Sequence, residues 1–270
     1  MLKIGVIGCG AIGAQICRAI DSGFINATLC AIYDRSAQHC EKLLDSLNNK
    51  PVISSPEELV EKVDIVVECA SQAAVREHGL LVLERGKDLM VMSVGAFMDE
   101  KLLEDLVRAA KKNDCKIYIP SGAIAGIDGL KSARVESINR VELSTTKNPK
   151  SLAGARFIIE NNIDIYSFHE KTMIFEGNAK EAVRAFPANV NVAASLSLAG
   201  IGSEDTQVKV FVDPETSRNI HEITVEGKFG NFTCRIENIP SPGNPRTSLL
   251  AALSAIATLK KITEPLQIGT

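Results

Sequence analysis

Gly8-Cys9-Gly10-Ala11-Ile12-Gly13 is the stretch whose reading decides the fold. Three glycines at these spacings also occur by chance, so the motif gains weight only from what flanks it. Before it, Lys3 to Ile7 is a short apolar run that stops at Gly8; after it, Ile12, Ile16, Ala19 and Ile20 fall at helical spacing until Asp21-Ser22-Gly23 ends them. Ala27 to Tyr33 is a second β-prone run, and Asp34, 21 residues after Gly13, closes it. Strand, glycine turn, helix, strand and terminal acid form a right-handed βαβ unit with a dinucleotide-binding fingerprint. Gly8 allows the tight turn, Gly10 lets backbone approach a pyrophosphate, and Gly13 lets helix pack on strand. Ala11 and Ile12 open the helix, where free N–H groups and the positive dipole end suit an anion. Asp34 is expected to accept from the adenosine ribose hydroxyls, which favours NAD. Arg35 beside it could pair with a 2′-phosphate, which leaves NADP use open.

The alternation continues downstream. Ser55-Pro56-Glu57-Glu58 reads as a capping box with Pro at the first helical position, and Ile65-Val66-Val67 as a buried strand ending at Glu68. A helix over 71–85, a strand Leu89–Met92, a helix Asp99–Lys112 and a strand Lys116–Ile119 follow. Beyond residue 121 the order changes: strand Arg140–Thr146, helix Ser151–Glu160, strand Thr172–Phe175 and helices across Ala179–Ala199. Short alternating strands at Gln207–Val212, Ile220–Gly227 and Phe232–Glu237 come next, with Asp213-Pro214 and Gly230-Asn231 as turns. The pattern predicts the α/β class: an N-terminal Rossmann doubly wound parallel sheet, then a C-terminal α+β domain with a mixed or antiparallel sheet. The expected division is 1–121 for dinucleotide binding, 122–245 for the substrate, and 246–270 as a C-terminal helix lying back on the first domain.

The composition excludes several classes of function. At 270 residues, 45% hydrophobic and 23% charged, the chain reads as globular, and its net charge of −3 offers no field for nucleic acid or anionic lipid. No apolar run approaches the ~18 residues of a membrane span, and the start is too short in apolar residues for a signal peptide, so a cytoplasmic location is expected. The seven cysteines are odd in number and scattered, which reads as reduced thiols and no metal site.

Further segments carry a resemblance. Ser121-Gly122-Ala123-Ile124-Ala125-Gly126-Ile127-Asp128, Phe175-Glu176-Gly177 and Phe186-Pro187-Ala188-Asn189-Val190-Asn191-Val192-Ala193-Ala194 are followed by Asn219-Ile220-His221-Glu222-Ile223, Gly227-Lys228-Phe229-Gly230, Glu237-Asn238-Ile239-Pro240-Ser241 and Asn244-Pro245-Arg246-Thr247-Ser248. Along essentially its whole length the chain resembles the L-aspartate dehydrogenase family. The resemblance implies NAD(P)-dependent oxidation of L-aspartate to iminoaspartate, which hydrolyses to oxaloacetate and ammonia or feeds NAD biosynthesis. It also implies His221 as the catalytic histidine, with Ala123 and Asn189 as nicotinamide-side contacts.

The residues support part of this independently. Hydride leaves an amine-bearing carbon only when the nitrogen is unprotonated, so a base is needed, and histidine suits that task near neutral pH. Of four histidines, His39 and His78 lie on predicted helices with charged neighbours and His169 lies in a polar stretch, which leaves His221. On the other side, Asn219, His221, Ile223 and Val225 share one face of an alternating strand, and a histidine on such a face is commonly a satisfied core residue. A dicarboxylate calls for cationic or amide donors, for which Arg246, Asn244 and Lys147 are the candidates, while Thr247 reads better as the N-cap of the last helix. The second domain's sheet has a face that could pair in a homodimer. Two other readings stay open: a dihydrodipicolinate reductase-like NAD(P)H oxidoreductase, whose adjacent histidine pair is missing here, and a non-enzymatic NAD(H) sensor.

Overall fold

β1 (Leu2–Ile7) runs into the glycine turn and α1 (Ala11–Asp21) leads out of it. β2 (Ala27–Tyr33), α2 (Ala37–Asp45), β3 (Val52–Ile53), α3 (Pro56–Val60), β4 (Ile65–Glu68), α4 (Gln72–Glu84), β5 (Asp88–Val91), α5 (Glu100–Lys112) and β6 (Ile117–Tyr118) follow. The helices start where the side chains cap them: Ser55 Oγ accepts from Glu58 N at 3.3 Å, with Pro56 in the first turn, Ser71 Oγ from Ala74 N at 3.2 Å, and Asp99 Oδ1 from Leu102 N at 3.1 Å. The six strands pair in parallel in the order β3-β2-β1-β4-β5-β6. The order reverses between β1 and β4, and in open parallel sheets ligands bind in the crevice at the carboxyl ends beside such a reversal.

The computed structural model describes residues 1–187, 191–241 and 244–270, with residues 244–246 described by backbone alone. The chain divides into two units, Met1–Pro120 with Ala252–Gln267, and Ser121–Ala251 with Ile268–Thr270. The last helix begins in the second unit and passes into the first at Ala252. In the first unit, Ile4, Val6, Ile16, Ile20, Ile32, Ile65, Val67 and Met90 form one core, and Ala255, Ile256 and Leu259 of the last helix belong to it. Each large aliphatic so buried contributes about 1.5–3 kcal/mol relative to exposure.

The second unit contains α6 (Ile127–Ala133), β7 (Ile138–Lys147), α7 (Pro149–Leu152), α8 (Arg156–Glu160), β8 (Thr172–Asn178), α9 (Ala179–Ala185), α10 (Asn191–Ala199), β9 (Gln207–Val212), β10 (Asn219–Gly227), β11 (Gly230–Asn238), β12 (Pro240–Ser241) and β13 (Asn244–Ser248), and α11 (Leu249–Thr263) begins in it. Its sheet runs β11-β10-β7-β9-β8 and is mixed, since β7 and β9 are parallel and the other pairs antiparallel. The alternating strands by themselves suggested an antiparallel array; the helices between β7 and β9 provide the crossover that a parallel pair needs.

Three local readings are corrected. The helix expected over Ser151–Glu160 is two short helices, because Ala155 is extended (φ −72°, ψ 142°) between them. The β10–β11 hairpin turns at Lys228-Phe229, between the paired Gly227 and Gly230, and not at Gly230-Asn231; Gly230 provides the left-handed backbone, at φ +114°. Thr247 lies in β13, and the last helix starts at Leu249. Among the described residues no helix is long and apolar enough to cross a membrane, and no acid, cysteine and histidine group could hold a metal ion.

Candidate active site

The three fingerprint glycines answer three different demands. Gly8 has φ +106°, and a Cβ on it would stand 2.7 Å from Ala70 N and 2.8 Å from the Cys69 carbonyl. On Gly13 a Cβ would stand 1.9 Å from Gly8 O, so the absence of a side chain is what lets α1 touch β1. Gly10 has φ −72°, open to any residue, and a Cβ there would meet nothing within 4 Å. No described residue therefore explains a glycine at 10. What it keeps clear is the space before the N-terminus of α1, a helix with no acidic residue in its first turn and no side-chain cap. That fits a pyrophosphate lying against the backbone.

Asp34, at the end of β2, is built into the same turn. Its Oδ2 accepts from Cys9 N at 2.8 Å and its Oδ1 from Ser36 N at 2.9 Å, which ties the glycine loop to β2. Partial burial works against the charge, but the N–H groups of Ser36 and Cys9 prevail and hold the carboxyl below its usual range. Asp34, Arg35, Gly8, Gly10 and Ser71 line one pocket. Each carboxylate oxygen still has acceptor capacity for a ribose hydroxyl.

Two histidines set aside on sequence grounds line that pocket too. His39 Nδ1 lies 3.2 Å from Asp34 Oδ1, and the largely buried His78 meets Tyr33 edge-on at a ring separation of 5.9 Å. His39 stands five residues after the fingerprint acid, in the first turn of the next helix. Glu68 was missed altogether. Its buried carboxylate accepts from Ala70 N and Ser71 N, both at 2.8 Å, and from Ser93 Oγ at 2.8 Å and Ser93 N at 3.1 Å. It thus fastens the loop after β4, which lines the pocket, to the end of β5. Burial raises its pKa, against the pull of those four donors. An acid ending a buried strand is the signal that could have revealed it.

In the second unit, β7 and β10 bring Thr145, Lys147, Asn219 and His221 onto the buried face of the mixed sheet. His221 pairs directly with Thr145 in the ladder, so both side chains share a face, and Thr145 Oγ1 lies 3.1 Å from His221 Nδ1. Burial, and then the nearby positive charge of Lys147, pushes the His221 pKa down to about 3, so the ring is neutral at neutral pH. Burial alone lowers Lys147 to about 8. Asn219 donates to Ser248 Oγ at 3.4 Å and pairs in register with Asn238, whose amide donates to the Ala123 carbonyl at 2.9 Å. The Ala123 segment is thereby fastened to the same end of the sheet as His221. Asn189 lies outside the described residues, as do the side chains of Asn244 and Arg246.

Comparison with known proteins matches the two parts of the chain to different families. Residues 8–120 match the NAD-binding domain family of homoserine dehydrogenase, and residues 128–262 match the aspartate dehydrogenase C-terminal family. The chain is 58% identical to the L-aspartate dehydrogenase of Methanococcoides burtonii and 49% identical to that of Nitrosopumilus maritimus, with full coverage of both partners in each case. Among solved structures, the aspartate dehydrogenase of Thermotoga maritima is 30% identical with a TM-score of 0.78, again over the whole of both chains. A scyllo-inositol dehydrogenase from Lactobacillus casei with bound NAD(H), 14% identical with a TM-score of 0.61 over all of this chain and 91% of that one, shares the fold. The dihydrodipicolinate reductase-like and sensor readings give way to these matches: the first unit is an NAD-binding domain, and the chain is an oxidoreductase that belongs to the L-aspartate dehydrogenase family.

Proposed function

We propose that this protein oxidises L-aspartate at Cα to iminoaspartate, which takes up water to give oxaloacetate and ammonia. The observation that carries the reading is the neutral, buried His221, held by Thr145 and close to the charge of Lys147. NAD, or NADP, supplies the hydride acceptor. Gly8, Gly10, Ala11, Ile12 and Gly13 would hold its pyrophosphate, and Asp34 its adenosine ribose, with Arg35 toward any 2′-phosphate; Ala123 and Asn189 are assigned to the nicotinamide end by motif resemblance.

His221 keeps the substrate nitrogen unprotonated, so that its lone pair can form the C=N bond as the Cα–H electrons leave. For Nε2 to accept that proton, Nδ1 must carry the ring hydrogen and donate it to Thr145 Oγ1. A pKa of about 3 makes the resting ring a weak base. A dicarboxylate arriving beside it brings negative charge that raises it, so the base gains strength when substrate is present. Lys147, together with Arg246 and Asn244, is assigned to the two carboxylates. In a site closed to water, an ammonium attracts a carboxylate more strongly than at the surface.

A consequence follows for pH. Lys147 carries its charge below about pH 8 and loses it above. The kcat/KM for oxaloacetate, which reports groups of the free enzyme, is expected to fall as pH rises through that value. Lys147→Met should raise the KM for oxaloacetate about tenfold or more, the scale of a lost charged hydrogen bond, and should remove the inflection. An unaltered profile in the variant would remove Lys147 from carboxylate binding.

By resemblance we also assign the imine product to NAD biosynthesis. The free cysteines fit a cytoplasmic setting. For a homodimer we favour the outer face of the mixed sheet, where Arg140, Glu142, Lys209, Glu222, Glu226 and Arg235 form ion pairs that a second copy could extend. The deciding experiment follows absorbance of the reduced cofactor with oxaloacetate and ammonia, beside pyruvate and 2-oxoglutarate. Consumption restricted to oxaloacetate with ammonia is the expected result; equal rates with the other acceptors would overturn the substrate assignment.

A further inference from the structure

The pocket wall around Asp34 sets Arg35 and His39 beside two acids, Asp34 and Glu77. An acid at the end of the second strand ordinarily discriminates against NADP by repelling its 2′-phosphate. Here that acid is already engaged. Both carboxylate oxygens accept backbone N–H groups, from Cys9 and Ser36, and His39 Nδ1 stands 3.2 Å from Oδ1. His39 and Arg35 line the same pocket as Asp34, and His39 is the more exposed partner of the pair, 58% against 15%. Its ring is thus open to a ligand while still touching the acid. The helix that carries it, α2, begins at this wall without an acidic residue in its first turn or a side-chain cap on its N-cap residue, Ser36. A protonated imidazole next to Asp34 would offset the carboxylate charge and leave Arg35 opposed only by Glu77, which lies 3.7 Å from His78 Nε2.

We propose that His39 is a specificity-determining residue of the cofactor site, and that with Arg35 it admits the 2′-phosphate of NADP(H) despite Asp34. The acid keeps its contact with the ribose of NAD(H), and the histidine relieves the repulsion that would otherwise exclude the phosphate. Arg35 alone would face an uncompensated carboxylate one residue away. His39, on the helical turn beyond it, adds a second side chain able to carry positive charge to the same pocket lining. The inference deepens the cofactor part of the proposed function and does not depend on which amino acid is oxidised.

The test is direct titration of NADH and NADPH, followed by nucleotide fluorescence without substrate, on the wild type and on His39→Gln and His39→Arg. Gln keeps a hydrogen-bonding side chain but cannot carry charge, whereas Arg is permanently charged. The ratio of the NADPH to the NADH dissociation constant is expected to rise about tenfold in His39→Gln, the scale of one charge-assisted hydrogen bond, and to stay at or below the wild-type ratio in His39→Arg. If both cofactors weaken equally in His39→Gln, His39 merely orients Asp34 and the proposal fails. It fails as well if NADPH does not bind the wild type while NADH does. Failure of the wild type to bind either nucleotide would instead overturn the cofactor assignment under the proposed function.

Discussion

His221→Ala is expected to bind NADH almost as the wild type does and to lose about 10²-fold or more in kcat, the scale of a missing general acid–base group. The two effects separate because the residues proposed for the pyrophosphate and adenosine ribose belong to the first unit, whereas His221 lies on the sheet of the second. A merely structural histidine would behave differently: its loss would lower stability, with turnover falling only as folded protein is lost. A second measurement uses the ring's depressed pKa. In the unfolded chain His221 titrates near 6.5, and in the fold at about 3. Between those values the unfolded state binds more protons, so wild-type stability falls as pH drops from about 6.5 toward 3. The Ala variant lacks this contribution. Its urea midpoint should therefore fall less between pH 7 and pH 5 than the wild-type midpoint does. Unchanged turnover would remove His221 from the mechanism, and an equal acid response would show that the ring is not buried neutral.

The nucleotide half was readable in the sequence because its determinants are contiguous. Ala27–Tyr33 there, and Gln207–Val212 in the second unit, are apolar runs stopped by Asp34 and by Asp213-Pro214, and both are strands with the expected limits. The glycine turn and Asp34 fall within one βαβ unit, where spacing alone carries the geometry. His39 escaped because an exposed helix position with charged neighbours looks like ordinary surface; only the fold turns that side of α2 toward Asp34. The polar cluster of the second unit is harder still. Thr145 and His221 are 76 residues apart in sequence and meet through strand register, which periodicity does not encode. Lys147 could be named as a cation, but not as a buried one. Likewise the parallel β7–β9 pair depends on a crossover through several helices, a long-range choice that the alternation of each strand leaves undetermined.

Gly10→Val and Gly13→Val are expected to fail in opposite ways, although the two glycines lie three residues apart in one motif. At Gly13 the new Cβ would sit 1.9 Å from Gly8 O, a backbone atom that can yield only if α1 moves off β1. Overpacking costs typically ~1–3 kcal/mol, and more where backbone must shift; a loss of about 4 kcal/mol corresponds to a Tm lower by about 8–16 °C. At Gly10 the backbone is ordinary and the Cβ meets no protein atom within 4 Å. Valine there forfeits only the N-cap preference, about 1 kcal/mol, or about 2–4 °C. It does, however, place methyl groups where the proposed pyrophosphate would approach the first N–H groups of α1. Losing two charge-assisted hydrogen bonds raises the NADH dissociation constant by about 10²-fold or more. Thermal melts and fluorescence titrations of both variants distinguish the roles. A Gly10→Val protein that melts near the wild type but no longer holds NADH would locate the cofactor on this loop. Retained NADH affinity would place the pyrophosphate elsewhere, and a collapse in Tm equal to that of Gly13→Val would make Gly10 a folding residue.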